Sequence, residues 1–468
     1  MKSNGIVNTT PLWEDILSVV GTSDKKRNLH VSAIFHTEKE DFPVMKVLLV
    51  ENKRDYYKST GEYGAISVYM SMGDYIYRLI PFRDHLEISL KTTCMDDSGK
   101  SDKDNPPTVV RYKALINFNI NPFPSSENIS NRSIADLNLL PPVTATLELQ
   151  DRCEELLRLK TLDGSFSNKT TEQILKGAWL HEANKVKVDG KDIVQILQID
   201  PPDNSAVYGN LVIPSGTLLR DIPGFLQEKG KGVYAGGIGS FFQRYNNKPG
   251  WFVYPLYKKE RFDQDRFKLV IYAVPEGKMP GMNRTYRTEG KITYIAATGE
   301  KKMADTSKNT DLNHGTGFRM PDAEAFMLKP VEIGPDGIKA NRRRLVHEVS
   351  HRERKDQINS ANMQSSSANS FKQYSDVLSR EFSAVAVTWE NSNPDLLYPG
   401  MPVKYVYMDR GEYIESKGTL VTAYSVTKLI GNPLEESNHA VSTQLNILVE
   451  PQSFLPVNDK KTQVGEYR

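Results

Sequence analysis

Two cysteines in 468 residues, Cys94 and Cys153, are too few for a secreted disulfide scaffold, and no C-x-x-C spacing offers a structural zinc site. Long apolar runs are missing as well. The longest, Phe42 to Val50, is interrupted by Lys46 and falls far short of the roughly 20 residues a membrane-spanning helix needs. Neither sign of charge dominates: 60 Lys and Arg against 58 Asp and Glu leave +2, which argues against a dedicated binder of nucleic acid or acidic membrane. Hydrophobic residues make up 38%. Exchanging Tyr for Gly in that set gives roughly 40%, below the usual range of about 45–50%, so much of the chain is expected on the surface, in long loops or in wet interfaces. The start, Met1-Lys2-Ser3-Asn4-Gly5, leads into polar residues rather than a signal-peptide core. The expectation is a soluble protein with no membrane association, made in a reducing compartment. Tryptophan is scarce too, 4 residues beside 22 Tyr, and Tyr suits half-buried sheet faces and interfaces.

What the chain does have is two-residue alternation. Val441, Thr443, Leu445, Ile447 and Val449 take one face while Ser442, Gln444 and Asn446 take the other, the pattern of an antiparallel sheet with one buried side. Leu420 to Val426 follows a Gly418 turn, Met401 to Tyr407 follows Pro399-Gly400, and Ser383, Val385, Val387 and Trp389 alternate before them. The same grammar opens the protein. Leu29, Val31, Ala33 and Phe35 alternate with polar residues; Ile66, Val68 and Met70 form a second strand, and Tyr75 to Ile80 reads as a third after a Gly73-Asp74 turn. Leu86, Ile88 and Leu90, then Tyr112, Ala114, Ile116 and Phe118, complete the set, with a charged insertion between them from Met95 to Pro107. Residues 1–135 therefore predict a small sandwich or barrel, and 376–468 a second barrel-like sheet.

Between them the period changes. In 136–265, Thr170 with Gln173 forms a capping box ahead of a short amphipathic helix through Ile174, Leu175, Ala178 and Trp179. A second helix is expected through Leu218, Leu219, Ile222, Phe225 and Leu226, with Asp221 capping a new turn because Pro223 cannot sit deep inside a helix. Residues 266–375 return to strands (Phe267 to Val274, Lys291 to Ala296) and then become polar and weakly patterned, ending in a linker from Asn359 to Ser370.

Catalytic furniture is thin. His347-Glu348-Val349-Ser350-His351 matches H-E-x-x-H, whose histidines on a helix would lie one turn apart and could ligate zinc, with Glu348 as general base. A third ligand is lacking: Arg352-Glu353-Arg354-Lys355-Asp356 follows, and Glu381 comes late. Arg342-Arg343-Arg344 and Arg352 also place cations where a divalent metal would be repelled. The match reads as a polar segment with fortuitous spacing. Gly230-Lys231-Gly232-Val233-Tyr234-Ala235 fits G-x-G-x-x-A, yet a helix precedes it and a turn entering a strand follows, the reverse of the dinucleotide-binding context. Close packing or positive φ accounts for those glycines. Lys339 to Arg344 reads as a solvated basic face, with contact to an acidic partner as the alternative. No catalytic, cofactor-binding or metal-ligating residue is assigned, and no cofactor is expected.

Certain phrases carry a family likeness. Ile213-Pro214-Ser215-Gly216-Thr217-Leu218, Asp221-Ile222-Pro223, Leu226-Gln227, Gly232-Val233-Tyr234, Gly237-Ile238-Gly239 and Val253-Tyr254-Pro255-Leu256 resemble, in content and order, the baseplate hub proteins of contractile-tailed bacteriophages. So do Pro399-Gly400-Met401-Pro402-Val403, Gly418-Thr419-Leu420-Val421 and Thr443-Gln444-Leu445-Asn446-Ile447. The resemblance spans roughly residues 200 to 450. It implies a mainly β chain with an α/β middle, in which two tail-tube-like antiparallel β-barrel domains flank an α+β insertion. It further implies a homotrimer acting as a symmetry adaptor between tail tube and central spike, with DNA passing through its bore. Expected neighbours are the tube or tube-initiator protein, the spike, and the wedge and tape-measure proteins, in a virion tail baseplate assembled in the host cytoplasm. Another tail component, such as a tube initiator or wedge protein, is the alternative; a zinc metallopeptidase acting through His347 and His351 is the third reading.

Overall fold

The computed structural model describes residues 10–20, 28–95, 107–117, 121, 134–205, 207–264, 266–274, 285–300, 318–321, 331–333, 338–340, 346–349, 371, 375, 382–409, 412–431 and 438–450. Most of the ordered structure is strand. Fourteen strands join in one hydrogen-bonded sheet. In chain order they are β1 Asn28–His36, β2 Asp41–Pro43, β3 Lys46–Asp55, β4 Tyr63–Met70, β5 Glu87–Met95, β6 Thr108–Ile116 and β7 Val143–Asp151. After an insertion come β8 Lys268–Val274, β9 Tyr286–Glu289, β10 Ile292–Glu300, β11 Ser383–Glu390, β12 Pro402–Asp409, β13 Glu412–Leu429 and β14 His439–Val449.

The pairings trace two closed circuits. In the first, β3, β4, β7, β6, β5 and β1 are successive antiparallel neighbours. It closes because β3 also pairs with β13, β13 with β14, and β14 with β1 through Leu29 and His439. In the second, β8 pairs with β12, β12 with β13, β13 with β14, β14 with β11, β11 with β10, and β10 with β8. The β13–β14 pair belongs to both. The large sheet thus draws strands from all four segments that the sequence separates, since β7 comes from the start of the middle one, β8 and β10 join the C-terminal strands, and β13 and β14 complete the N-terminal circuit.

The alternation read from sequence is the burial observed. Leu29, Val31, Ala33 and Phe35 enter the first circuit's core with Ile66, Val68, Met70, Ile88 and Leu90, and Leu445, Ile447 and Val449 enter the second's with Val385, Val387 and Trp389. Gly418 stands inside β13 rather than in a turn before Leu420, and two further expectations need correction. Tyr75 to Ile80 is helical, a wide turn over Asp74–Leu79 that continues as a tight one over Ile80–His85. Ser71 starts it: its hydroxyl accepts from the Asp74 amide (3.0 Å) and donates to the Asp74 carboxylate (2.8 Å), and Tyr75 and Leu79 then bury one turn apart. The second correction concerns strand direction. The circuits are not wholly antiparallel, because β8 runs parallel to both β10 and β12. Parallel strands are usually covered on both faces. Here Leu269 and Ile271 face the second core, while Val270, Tyr272 and Val274 lie under the helix Thr10–Val20 through Leu12, Ile16 and Val19.

The insertion between β7 and β8 is mixed α and β, as its changed period predicts. Its helices include Arg152–Leu159, Thr171–Gly177 and Ile222–Glu228, and its three-stranded sheet comprises Ile196–Ile199, Ile238–Tyr245 and Lys248–Pro255. The Thr170–Gln173 capping box forms in both directions. Asp221 does occupy the N-cap of the helix carrying Pro223, without a side-chain cap bond. The core is built on Trp179 stacked on Trp251 with centroids 3.9 Å apart. Strand Lys248–Pro255 serves two cores by parity: Trp251 and Val253 face the insertion, Phe252 and Tyr254 the second circuit.

Candidate functional site: the junction of the two circuits

β13 is long enough, from Glu412 to Leu429, to belong to both circuits, and one irregularity lets it change partners. Residues 412–419 pair with β12 and residues 422–428 with β3. Between them the register against β14 shifts at Leu420/Thr422, leaving Val421 as an extra residue. Such a bulge bends a strand and raises its twist, which redirects β13 from one circuit into the next. The Val421 carbonyl, turned out of the β14 ladder, accepts instead from the Tyr56 amide at the end of β3 (2.9 Å).

Buried side chains key the insertion into this joint. Tyr56 donates to Gln243 Oε1 (3.0 Å), Gln243 Nε2 donates to the Leu397 carbonyl (2.7 Å), and Tyr254 donates to the Tyr56 carbonyl (2.9 Å). Arg54 pairs with Glu62 (3.2 Å) and donates to the Pro394 carbonyl (3.0 Å), spanning first circuit and second. Arg244 of the insertion pairs with Asp151 at the end of β7. A second knot lies across from it. Asp200 accepts from Arg261 Nε (2.8 Å) and Arg266 Nη1 (2.7 Å), and Arg261 Nη1 donates to the Gly400 carbonyl (2.7 Å). Buried polar groups with fixed partners specify one relative placement, because any slip would leave charges unpaired in low dielectric.

One group in the joint is held against its ordinary charge. Glu154 accepts from Arg158 through Oε1 (2.6 Å), but Oε2 is buried without a donor. Burial pushes its carboxyl up from 4.5 to about 7, against the pull of Arg158. The folded chain therefore keeps a proton that the unfolded chain has released. That contribution is fully present below about pH 4.5 and is lost as pH rises through about 7, roughly 3 kcal/mol across the window. Glu154→Gln is neutral throughout, so its urea midpoint is expected to stay level between pH 5 and 7.5 while the wild type falls. Parallel slopes in the two proteins would refute this assignment.

The motifs singled out in the sequence contribute none of the contacts described at the joint. Val346–Val349 is a strand paired with Phe318–Pro321, Met320 opposite His347 and Arg319 opposite Glu348, so the helix that a zincin motif requires is not formed there. Ser350 and His351 lie outside the described residues, as do Asn341 to Arg344 of the basic run; Ile338–Ala340 is a strand. Among the described residues no group of three His, Cys, Asp or Glu is placed to hold a metal ion. Gly232 takes φ +84° between helix Ile222–Glu228 and strand Ile238–Tyr245, the positive-φ role expected of it. Cys153 is buried, and burial pushes its thiol up to about 12, which removes it as a nucleophile at neutral pH. Sequence reading missed Arg54, Asp151, Gln243 and Asp200. The available signal was parity: Arg54 shares the inward parity of Val50 in β3, where a charge is out of place without a partner.

No protein-family model matches the chain, and no curated protein matches it. Among solved structures it is similar to the tail protein from Neisseria meningitidis MC58, at 9% identity over 90% of this chain and 96% of that one, with a TM-score of 0.42. It is similar to the 43 kDa tail protein of prophage MuSo2 from Shewanella oneidensis, at 8% identity over 88% of this chain and 98% of that one, TM-score 0.44. A type VI secretion system component of E. coli with structural similarity to T4 bacteriophage tail proteins gives 9% identity, 90% and 77% coverage and a TM-score of 0.40. These neighbours are tail proteins and a secretion-system component. At such identities and scores no residue's role is carried across.

Proposed function

We propose that this chain is a structural virion protein, the central hub of a contractile-tail baseplate, and that each strand circuit is one tube-like barrel. The reading rests on two closed circuits in one chain, joined by a shared strand pair and keyed by buried polar contacts. A rigid double unit of this kind turns three-fold into pseudo-six-fold symmetry: three copies about an axis would set six circuits in a ring. A six-fold tail tube could stand on one side of that ring and a three-fold spike on the other. The near-zero net charge of +2 suits a bore that lets DNA through without reading or retaining it. The spike, the tube or tube initiator, and the wedge and tape-measure proteins are the proposed neighbours in the virion tail, after assembly in the host cytoplasm. No catalytic step is assigned.

Native mass spectrometry of the purified chain in zinc-containing buffer tests this in one measurement. The expected species is a metal-free trimer of the 52.8 kDa chain. A hexameric ring would favour a tube initiator instead, and one tightly held zinc per chain would revive the peptidase reading.

A further inference from the structure

Three strands of the first circuit set a serine, a histidine and an aspartate side by side on its outer face. Ser89 Oγ on β5 lies 2.7 Å from His36 Nε2 at the end of β1, and His36 Nδ1 lies 2.9 Å from Asp41 Oδ1 at the start of β2. An ionised carboxylate only accepts, so Nδ1 carries the imidazole proton, Nε2 is the acceptor, and the Ser89 hydroxyl donates to it. In that order of contacts a base draws the proton from a nucleophilic hydroxyl, an arrangement recognised by geometry and not by sequence position. The register produces it. Ile34 pairs with Ser89, so His36, two residues on, shares the serine's face, and His36 itself pairs with Asp41. The rival acid is occupied: Glu87 stands directly opposite His36, but Arg111 (2.5 Å) and Arg152 (3.1 Å) hold its carboxylate. Arg111 of β6 is in turn directly opposite Ser89, which keeps a cation on the nucleophile's face. Ile34, and Val109 two residues before Arg111, flank Ser89 with exposed apolar side chains, and His36 keeps 17% of its side chain open to solvent.

We propose that Ser89 is an acyl-accepting nucleophile with His36 as its general base, and that this face hydrolyses esters of short acyl chains, an activity beyond the chain's place in a tail and independent of it. Ser89 Oγ bonds to the acyl carbon as its proton passes to His36 Nε2. The bond from that carbon to the leaving oxygen then breaks, and the departing alcohol takes the proton from Nε2. Water adds to the acyl carbon in the second half, giving a proton to Nε2; the bond to Oγ breaks, Oγ takes that proton, and the carboxylic acid leaves. Asp41 is a positioning residue that fixes the tautomer. Arg111 supplies positive charge where the oxyanion develops, and Ile34 and Val109 receive the acyl chain. An open sheet face suits a short chain rather than a long one.

Two probes decide the matter on the full chain: an alkyl fluorophosphonate, located by peptide mass mapping, and turnover of p-nitrophenyl butyrate. The expected result is one fluorophosphonate per chain, carried on Ser89, and saturable release of nitrophenolate. Ser89→Ala should abolish the label, and both Ser89→Ala and His36→Gln should reduce turnover to the rate in buffer. Asp41→Asn, which lets the imidazole take the wrong tautomer, should lower kcat by up to about 10⁴-fold and leave KM in place. A wild-type chain with no labelled serine, a label on a residue other than Ser89, or turnover unchanged by His36→Gln would overturn the proposal. The first two readouts need only the wild-type protein, so they decide even where a variant does not fold.

Discussion

Asp200→Ala is expected to lower the unfolding free energy by about 3–5 kcal/mol, the scale of removing one partner from a buried ion pair. One carboxylate serves two guanidinium groups here. Arg261 is 1% exposed, its Nη2 already lacks a partner, and Arg266 Nε is buried without one too. The site tolerates this shortage of acceptors only because Asp200 accepts from both arginines. Removing it leaves two cations facing one another with no counter-charge. The matched control is Glu172→Ala: Glu172 and Lys176 form an exposed i,i+4 pair, and its loss should stay within about 0.5 kcal/mol. Urea unfolding followed by circular dichroism measures both. A loss below about 1 kcal/mol for Asp200→Ala would mean that water reaches the arginines.

The same substitution reports on how the parts are coupled. Asp200 follows the insertion strand Ile196–Ile199, and Arg261 carries its influence to the Gly400 carbonyl in the second circuit. Without the carboxylate, Arg261 loses the bond that orients it, and the insertion loses one of its keys to the sheet. Trp179 and Trp251 stack inside the insertion, so with Trp13 and Trp389 replaced by Phe tryptophan fluorescence follows that unit, while the circular dichroism of the strands follows the circuits. The two transitions should coincide in the wild type and separate in the variant, the mark of lost cooperativity.

How much of this was legible in the sequence depends on the distance between the residues involved. The face of β14 was fully legible, because Val441, Leu445 and Ile447 declare it within nine residues. Tyr75 to Leu79 was misread because a residue pattern of Tyr75, Tyr77 and Leu79 satisfies period two, while Ser71, which decides the matter by capping, lies before the window. The direction of β8 carried a readable sign: Leu269-Val270-Ile271-Tyr272-Ala273-Val274 is continuously apolar, as a strand covered on both faces requires, rather than alternating. The closure of the circuits was not legible. Asp55 pairs with Thr422 and Leu29 with His439, and no local pattern announces partners hundreds of residues apart. The polar joint was legible only in part: Arg54 and Asp151 break the inward apolar parity of their own strands, but nothing local names Glu62, Arg244 or Gln243 as what they meet. The phrases behind the family resemblance fared better. Gly400 has φ +65°, and an added Cβ would meet the Tyr254 ring at 2.1 Å, so the Pro399-Gly400-Met401 turn is glycine for two physical reasons.

Gly418→Ala should be the more damaging change, and for a reason that bears on the whole architecture. Gly418 lies in β13 with Val403 of β12 on one side and Val449 of β14 on the other. A Cβ there would stand 1.8 Å from the Leu448 carbonyl oxygen, which is backbone and cannot rotate away. The β13–β14 ladder would have to part locally, three residues before the Val421 bulge at which β13 leaves one circuit for the other. Overpacking a core typically costs about 1–3 kcal/mol because side chains give way. With backbone as the obstacle the expected loss is about 4 kcal/mol or more, or failure to fold. Gly177→Ala provides the opposite control: its φ is −61°, nothing lies within 4 Å of the added Cβ, and alanine should stabilise by about 0.4–1 kcal/mol. Thermal unfolding of the two variants beside the wild type separates a steric requirement from a generic effect of replacing glycine. Because β13 and β14 serve both circuits, the Gly418→Ala loss should appear in both at once: amide hydrogen exchange should rise in β3 and β4 as well as in β11 and β12. Exchange that rises only in β11 and β12 would show that the circuits are stable separately, and that the shared pair links them without making them one unit.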